Sequence, residues 1–356
     1  MIKRIEIFLR QIILKIILAS SKRRTIREKP TVSRLSNVLF IRLNRIGDAL
    51  VTTPLLTQIK KEIGCKIFVL ADANNHFIFE HCPVVDETVI YEKGIKGIRH
   101  LKSTLKKNNI DTIVDLHDDV STTISYILRM TKTKQIFGLK KKNEKLFTHT
   151  VSKPNPSTHH IIERTFALAN LFGFNPQLNT AKVNYQIKQK SMSIAGEQLK
   201  QYKNEYLLGI NITAGSEARF WGINNYKRLI EQVKTYHINY LLFTNQDYFD
   251  IAQQITEEKN IFPPSKDFDI FAAGISKLNM LFTPDTSVVH IASMFEIPVF
   301  GLYVKYKTDD MIWSPYKTIF DSIVTEDSSL LNVSYDEVIN KFIPFLEKQV
   351  YAKANS

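Results

Sequence analysis

Hydrophobic and polar positions along this chain of 356 residues follow two alternating rhythms. Short apolar runs stand at 38–41, 66–70, 88–91 and 112–116, and segments of helical spacing fall near 52–63, 97–107 and 120–131. A basic, polar stretch follows at 134–160, then a helical pattern at 161–172. Residues 173–204, with Gly173 and Pro176, read as a crossover. Strand-like runs resume at 206–212, 240–243, 280–282 and 298–302, with helices near 224–236, 248–258, from Ser287, and 334–349. Strand and helix in regular alternation predict parallel sheets covered by helices. The length exceeds what one core usually supports. The expectation is therefore an α/β protein of two Rossmann-like domains, 36–175 and 180–332, with a ligand cleft between them and a C-terminal helix and tail at 333–356.

The first thirty residues differ from the rest. Ile2, Ile5, Phe8, Leu9, Ile12, Ile13, Ile16 and Ile17 recur at three- and four-residue steps, which is one apolar helical face. Lys3, Arg4, Arg10 and Lys15 fall between them, and Lys22-Arg23-Arg24 follows. A basic amphipathic helix of this kind suits an anionic membrane surface; packing on the protein's own surface is the alternative. Arg10 and Lys15 interrupt the apolar core that a signal peptide needs. No run of about 18 uninterrupted apolar residues predicts a spanning helix.

Charge sharpens this division. The chain carries a formal +13, of which residues 1–34 hold +8, with ten Lys or Arg against two acids. A second basic cluster comprises Lys132, Lys134, Lys140, Lys141, Lys142 and Lys145. A nucleic-acid-binding domain would be basic throughout its surface, so that class is not expected. Cys65 and Cys82 have neither metal-ligand nor disulfide spacing and read as buried, reduced cytosolic thiols.

Three loops carry the candidate chemistry. The first strand leads into Arg42-Leu-Asn-Arg-Ile-Gly-Asp48, a polar turn around Gly47-Asp48 before a helix with Leu50, Leu55, Leu56 and Ile59. Ligands of open α/β sheets bind at the carboxyl ends of strands, where Asp48 would stand; on this segment alone, Asp48 reads first as a helix N-cap. In the second half, Asp285-Thr-Ser287 follows a strand and precedes a helix that bears His290. Exposed N–H groups there, with the Thr286 and Ser287 hydroxyls, would form an anion site. His290 would donate to a phosphate or pack against the sheet, and Asp285 would orient the loop or touch a sugar hydroxyl. The loop Asn211 to Trp221 offers Thr213, Gly215 and Ser216 for close backbone approach, Arg219 as a forked cation for phosphate, and Trp221 as a packing residue. These two loops should meet at one sheet edge. A fourth loop, Asp115-Leu-His-Asp-Asp119, reads as a turn and helix cap rather than a metal site, because consecutive loop residues rarely converge on one ion. Neither a G-x-x-x-x-G-K-[ST] loop nor a G-x-G-x-x-G fingerprint is present.

Together these segments resemble glycosyltransferase family 9, the ADP-heptose:lipopolysaccharide heptosyltransferases. The resemblance runs through Ile41 to Asp48 with Thr52-Thr-Pro54, Asn211 to Trp221, Asp285-Thr286-x-x-x-His290 with Pro298 and Gly301, and more weakly Trp313-Ser-Pro-Tyr316 and His160 to Arg164. It covers about 36–345. It implies a GT-B fold and inverting transfer from a nucleotide-diphosphate sugar, ADP-heptose, without a required metal or other cofactor. By the Gly-Asp match, Asp48 would be the general base. Arg219 would replace the family's phosphate-binding Lys, and Thr286 with its neighbours would hold the diphosphate. Arg45, Lys140, Lys141 and Lys142 would meet an anionic glycolipid acceptor on the cytoplasmic face of the inner membrane. The chain departs from the family pattern at Ser287 for Gly, Ile212-Thr213 for Pro-Gly, Arg219 for Lys, and Phe243-Thr-Asn245 without a Gly-Gly pair. A catalytically silent module that binds a nucleotide sugar or glycan is the competing reading.

Overall fold

The computed structural model describes residues 2–354, without the side chains of residues 2–5 and 7. The expected helix positions Ile2, Lys3, Arg4 and Ile5 thus lie outside the described side chains. The chain divides into two compact units, Met1–Tyr185 and Gln186–Ser356.

The first unit runs α1 (Ile2–Ala19), β1 (Asn37–Arg42), α2 (Ile46–Leu50), α3 (Thr53–Ile63), β2 (Lys66–Ala71), α4 (His76–Glu80), β3 (Glu87–Ile90), α5 (Gly94–Lys107), β4 (Thr112–Asp115), α6 (Thr122–Met130), β5 (Gln135–Leu139), β6 (His149–Val151) and α7 (Ile161–Phe166). Its six strands form a parallel sheet in the order β3-β2-β1-β4-β5-β6. The central strands β1 and β4 are buried along nearly their whole length, as expected where helices cover both faces. The direction of the strand order reverses between β1 and β4, and such a switch point opens a crevice at the strands' carboxyl ends.

The second unit runs α8 (Gln189–Gln198), β7 (Leu207–Asn211), α9 (Ile223–Lys234), β8 (Asn239–Phe243), α10 (Phe249–Ile255), α11 (Phe268–Ile275), β9 (Met280–Pro284), α12 (Val288–Met294), β10 (Val299–Val304), β11 (Phe320–Thr325) and α13 (Tyr335–Ala354). Its parallel sheet has the order β11-β10-β9-β7-β8, with the switch point between β7 and β9. Aromatic side chains fill its core. Phe342 of α13 meets Phe282 and Phe300 edge-on at 5.2 and 5.3 Å between ring centroids. Trp221 is fully buried and donates its indole N–H to the Val333 carbonyl at 3.1 Å, which ties the loop after β7 to the entry of α13.

Several elements were not expected from the pattern. β5 and β6 lie within the stretch read as basic and polar, because the lysines that dominate it stand outside two short strands. α8 occupies part of the expected crossover. β11 is an edge strand of mixed exposure, which erases the alternation. The turn after β1 is also displaced. The chain reverses at Asn44, with φ of 100°, while Gly47 and Asp48 already lie inside α2.

Candidate active site

In the first unit the site forms at the β1/β4 switch point. Arg42 ends a strand buried from Val38 onward and is 2% exposed, so its charge requires partners. It donates from Nη2 to Asp48 Oδ1 at 2.6 Å, from Nε to the Asp48 carbonyl at 3.0 Å, and from Nη1 to the Leu116 carbonyl at 3.0 Å. Asp48 is not the N-cap of α2: Arg45 holds that position, without a side-chain capping bond. The Asp48 carboxylate is 20% exposed. Its Oδ2 has no hydrogen-bond partner among the described residues. One oxygen is thus held and the other is left open at the sheet edge.

At the end of the neighbouring strand β4 lies a buried ionic network. Asp115 Oδ1 accepts the backbone N–H and Nδ1–H of His117 at 3.1 and 2.7 Å, and Oδ2 accepts Lys141 Nζ at 2.8 Å. Leu43 N–H donates to His117 Nε2 at 3.3 Å, which places the ring proton on Nδ1. Burial alone would raise the Asp115 pKa, but the Lys141 charge and the His117 hydrogen bond outweigh it and hold the carboxyl well below the usual carboxylate range. The remaining acids of this loop diverge. Asp118 pairs with Lys153 at 3.1 Å and Arg164 at 3.2 Å, and the exposed Asp119 reaches the same Lys153 at 3.6 Å. Among the described residues no group of three or more His, Cys, Asp or Glu is placed to hold a metal ion.

The expected acceptor cations separate. Arg45, Lys140 and Lys142 are exposed. Lys140 lines a recess of about 270 Å³ with Arg23, Thr25, Glu144, Thr150 and Ser152. Lys141 is different: its side chain is 4% exposed and committed to Asp115, so it is an internal counter-ion rather than a surface cation. A free lysine and a buried one look alike in a run of three.

In the second unit the loops after β7 and β9 meet at the β7/β9 switch point. Asn211, fully buried, is their hub. Its Nδ2 donates to Thr283 Oγ1 at 2.9 Å and Thr286 Oγ1 at 3.3 Å, while its Oδ1 accepts the N–H and hydroxyl of Thr213 at 3.1 and 2.7 Å. Thr286 Oγ1 also accepts the Val288 N–H at 3.4 Å. With its lone pairs taken, that hydroxyl is left to donate. Arg219 Nη2 pairs with Asp285 Oδ2 at 2.9 Å, with both side chains partly exposed. Gly215 lies under the guanidinium, since a Cβ there would stand 3.8 Å from Arg219 Nη1. Gly215 and Ser216 are exposed and Thr213 is half-buried. Ser287 adopts φ −58° and ψ −20°, a right-handed conformation open to any residue, so the backbone here does not demand glycine. His290 is 3% exposed and packs beside Trp313, at 6.2 Å between ring centroids; it is part of the interior rather than of the open loop surface.

Sequence reasoning missed Arg42, Asn211 as a hub, and the union of Asp115, His117 and Lys141. Arg42 had a signal, because a charge that closes an apolar strand must find a buried partner. Lys141 had none, because its partner is 26 residues away.

The chain matches glycosyltransferase family 9 (heptosyltransferase) over residues 98–340. It is 25% identical over 290 residues to lipopolysaccharide heptosyltransferase 3 of Escherichia coli, covering 76% of this chain and 82% of that protein. The crystal structure of a glycosyl transferase family 9 protein from Veillonella parvula superposes with a TM-score of 0.76 at 17% identity, over 90% of this chain and 100% of that one. The E. coli ADP-heptose lipopolysaccharide heptosyltransferase II superposes with a TM-score of 0.69 at 16% identity, over 88% and 99%. With two parallel α/β sheets and a family match across more than half its length, the chain belongs to glycosyltransferase family 9 and is a glycosyltransferase of the GT-B fold.

Proposed function

We propose that this chain transfers a heptose from ADP-heptose to the lipopolysaccharide core or a related envelope glycan, inverting the anomeric centre without a metal. The acceptor hydroxyl oxygen attacks the anomeric carbon and forms the new glycosidic bond. The bond from that carbon to the diphosphate breaks, and ADP leaves with the electron pair. The hydroxyl proton passes to Asp48. Arg219, the Thr286 hydroxyl and nearby N–H groups stabilise charge on the departing diphosphate. Asp285 and Ser287 complete the donor loop, and Thr213, Gly215 and Ser216 line the facing one. The acceptor is an anionic glycolipid met at the cytoplasmic face of the inner membrane, with Arg45, Lys140 and Lys142 as its cationic contacts. Lys141 supports that region from within.

The observation that carries this reading is the Asp48 carboxylate, with one oxygen bonded to Arg42 and the other open at a switch point. The names of the relatives, which specify heptosyl transfer and ADP-heptose, support the donor. Asp48→Ala is expected to lower kcat about 100- to 10,000-fold, the usual worth of a positioned base, while ADP binding measured by calorimetry stays within twofold. Unchanged turnover would remove Asp48 from the mechanism. No ADP binding by the native chain would instead favour a silent module.

A further inference from the structure

The helix α1 is attached to the first unit by one side only. Thr122 Oγ1 of α6 donates to the Arg10 carbonyl at 3.2 Å, and Arg129 Nη1 donates to the Ile17 carbonyl at 3.2 Å and to Ser21 Oγ at 3.1 Å. Ile17 is buried against the unit's core, with Leu18 packed beside it. Just beyond the helix, Arg24 donates to the carbonyls of Leu128, Arg129 and Thr131, which end α6. The helix is therefore held in register on α6, not merely laid on the surface.

Its other side is apolar and uncovered. Phe8, Leu9, Ile12, Ile13 and Ile16 are between 38% and 61% exposed. Five large apolar side chains on one helix exceed the scattered exposure of an ordinary surface. Lys15 is exposed on the helix itself, and Lys22, Arg23, Arg27 and Lys29 are exposed in the segment that follows it. No described helix is long and apolar enough to cross a membrane.

We propose that this face of α1 seats on an anionic lipid bilayer, with its apolar side chains among the acyl chains and its cations at the headgroups. The charge selects this occupant. Residues 1–34 carry +8, which opposes the approach of a second copy with the same basic face and favours an anionic surface. A helix bound in the interface plane, with an apolar face inward and Lys or Arg along its border, is the arrangement such surfaces take. Docking through α1 would bring the whole first unit to the surface where the proposed acceptor is embedded. In that respect it rests on the proposed function, though the contact itself requires no acceptor.

The test uses the full chain and sedimentation with large vesicles, either of phosphatidylcholine alone or with one third phosphatidylglycerol. Binding to the anionic vesicles is expected to be at least tenfold tighter than to the neutral ones and to fall steeply between 50 and 500 mM salt. The variant Phe8→Glu/Ile12→Glu/Ile16→Glu changes only exposed positions. It should lose at least tenfold in vesicle binding while keeping the native unfolding midpoint and ADP affinity. Asp48→Ala should sediment as the native chain does, which separates failure of the docking from failure of the transfer mechanism. Equal binding by the triple-Glu variant, no binding by the native chain, or a concentration-dependent dimer abolished by the same changes would each overturn the proposal.

Discussion

Arg42 and Arg219 perform opposite tasks with the same group. Arg42 is buried, and three of its donors are spent on Asp48 and Leu116, so it fixes a carboxylate. Arg219 is partly exposed and spends one nitrogen on Asp285, which leaves the rest of its fork for a ligand. Under the proposed function, this pairing would let Asp285 orient the Arg219 cation without itself approaching phosphate. Arg219→Ala is expected to weaken ADP binding by about 1.5–3 kcal/mol, the range for hydrogen bonds to charged groups, or roughly 10- to 150-fold in Kd. Arg219→Lys should recover most of that loss, because charge is retained and only the fork is lost. Calorimetric titration with ADP distinguishes the three proteins, and equal affinities would show that Arg219 does not meet the diphosphate. Asp48 and the two donor loops were legible from residue type at strand ends. Arg42 was not read as part of the site because nothing in a linear sequence shows which carboxylate a strand-end arginine will meet.

At the scale of elements, the ends of three neighbouring strands are tied together by one buried carboxylate. Asp115 ends β4, its partner His117 receives the N–H of Leu43 just after β1, and Lys141 follows β5. Because Asn44 carries a positive φ, the turn between Leu43 and α2 needs support from outside itself. Asp115→Asn leaves Lys141 buried without its counter-ion and is expected to cost about 3–5 kcal/mol, as for other broken buried pairs. The pH dependence has a definite sign. With its folded pKa depressed, Asp115 contributes fully above the ordinary carboxylate pKa of about 4 and loses that contribution as pH falls through the lower folded value. Urea unfolding of the first unit should therefore show a stability gap between native and Asp115→Asn proteins that is wide at pH 7 and narrows below pH 4. A gap that does not change with pH would assign the loss to packing. The strands most visible in the sequence were the buried ones, β1, β4, β7 and β9. β5, β6 and β11 were obscured because short strands among lysines, or at an edge, lack a clean apolar period.

At the scale of the whole molecule, the two units give the chain a built-in reporter. Both cysteines, Cys65 and Cys82, are buried in the first unit. Burial pushes their thiols up to about 11 and about 12, so neither is expected to react with a thiol reagent at pH 8 in the folded protein. Labelling during denaturant titration should follow the unfolding of the first unit and be silent on the second, whose melting can be read from Trp221 and Trp313. Rapid labelling without denaturant would contradict the burial. The sequence by itself determined the α/β class, the positions of the candidate loops and the presence of a first helix, which ends at Ala19 rather than running to residue 30, because each is written in local spacing and residue type. Only tertiary structure decided that Lys141 is internal while Lys140 and Lys142 are exposed, that His290 is interior, and that α1 turns five apolar side chains outward. It also placed each candidate loop at a switch point. Those outcomes depend on strand order and on partners distant in sequence, and local periodicity carries no information about either.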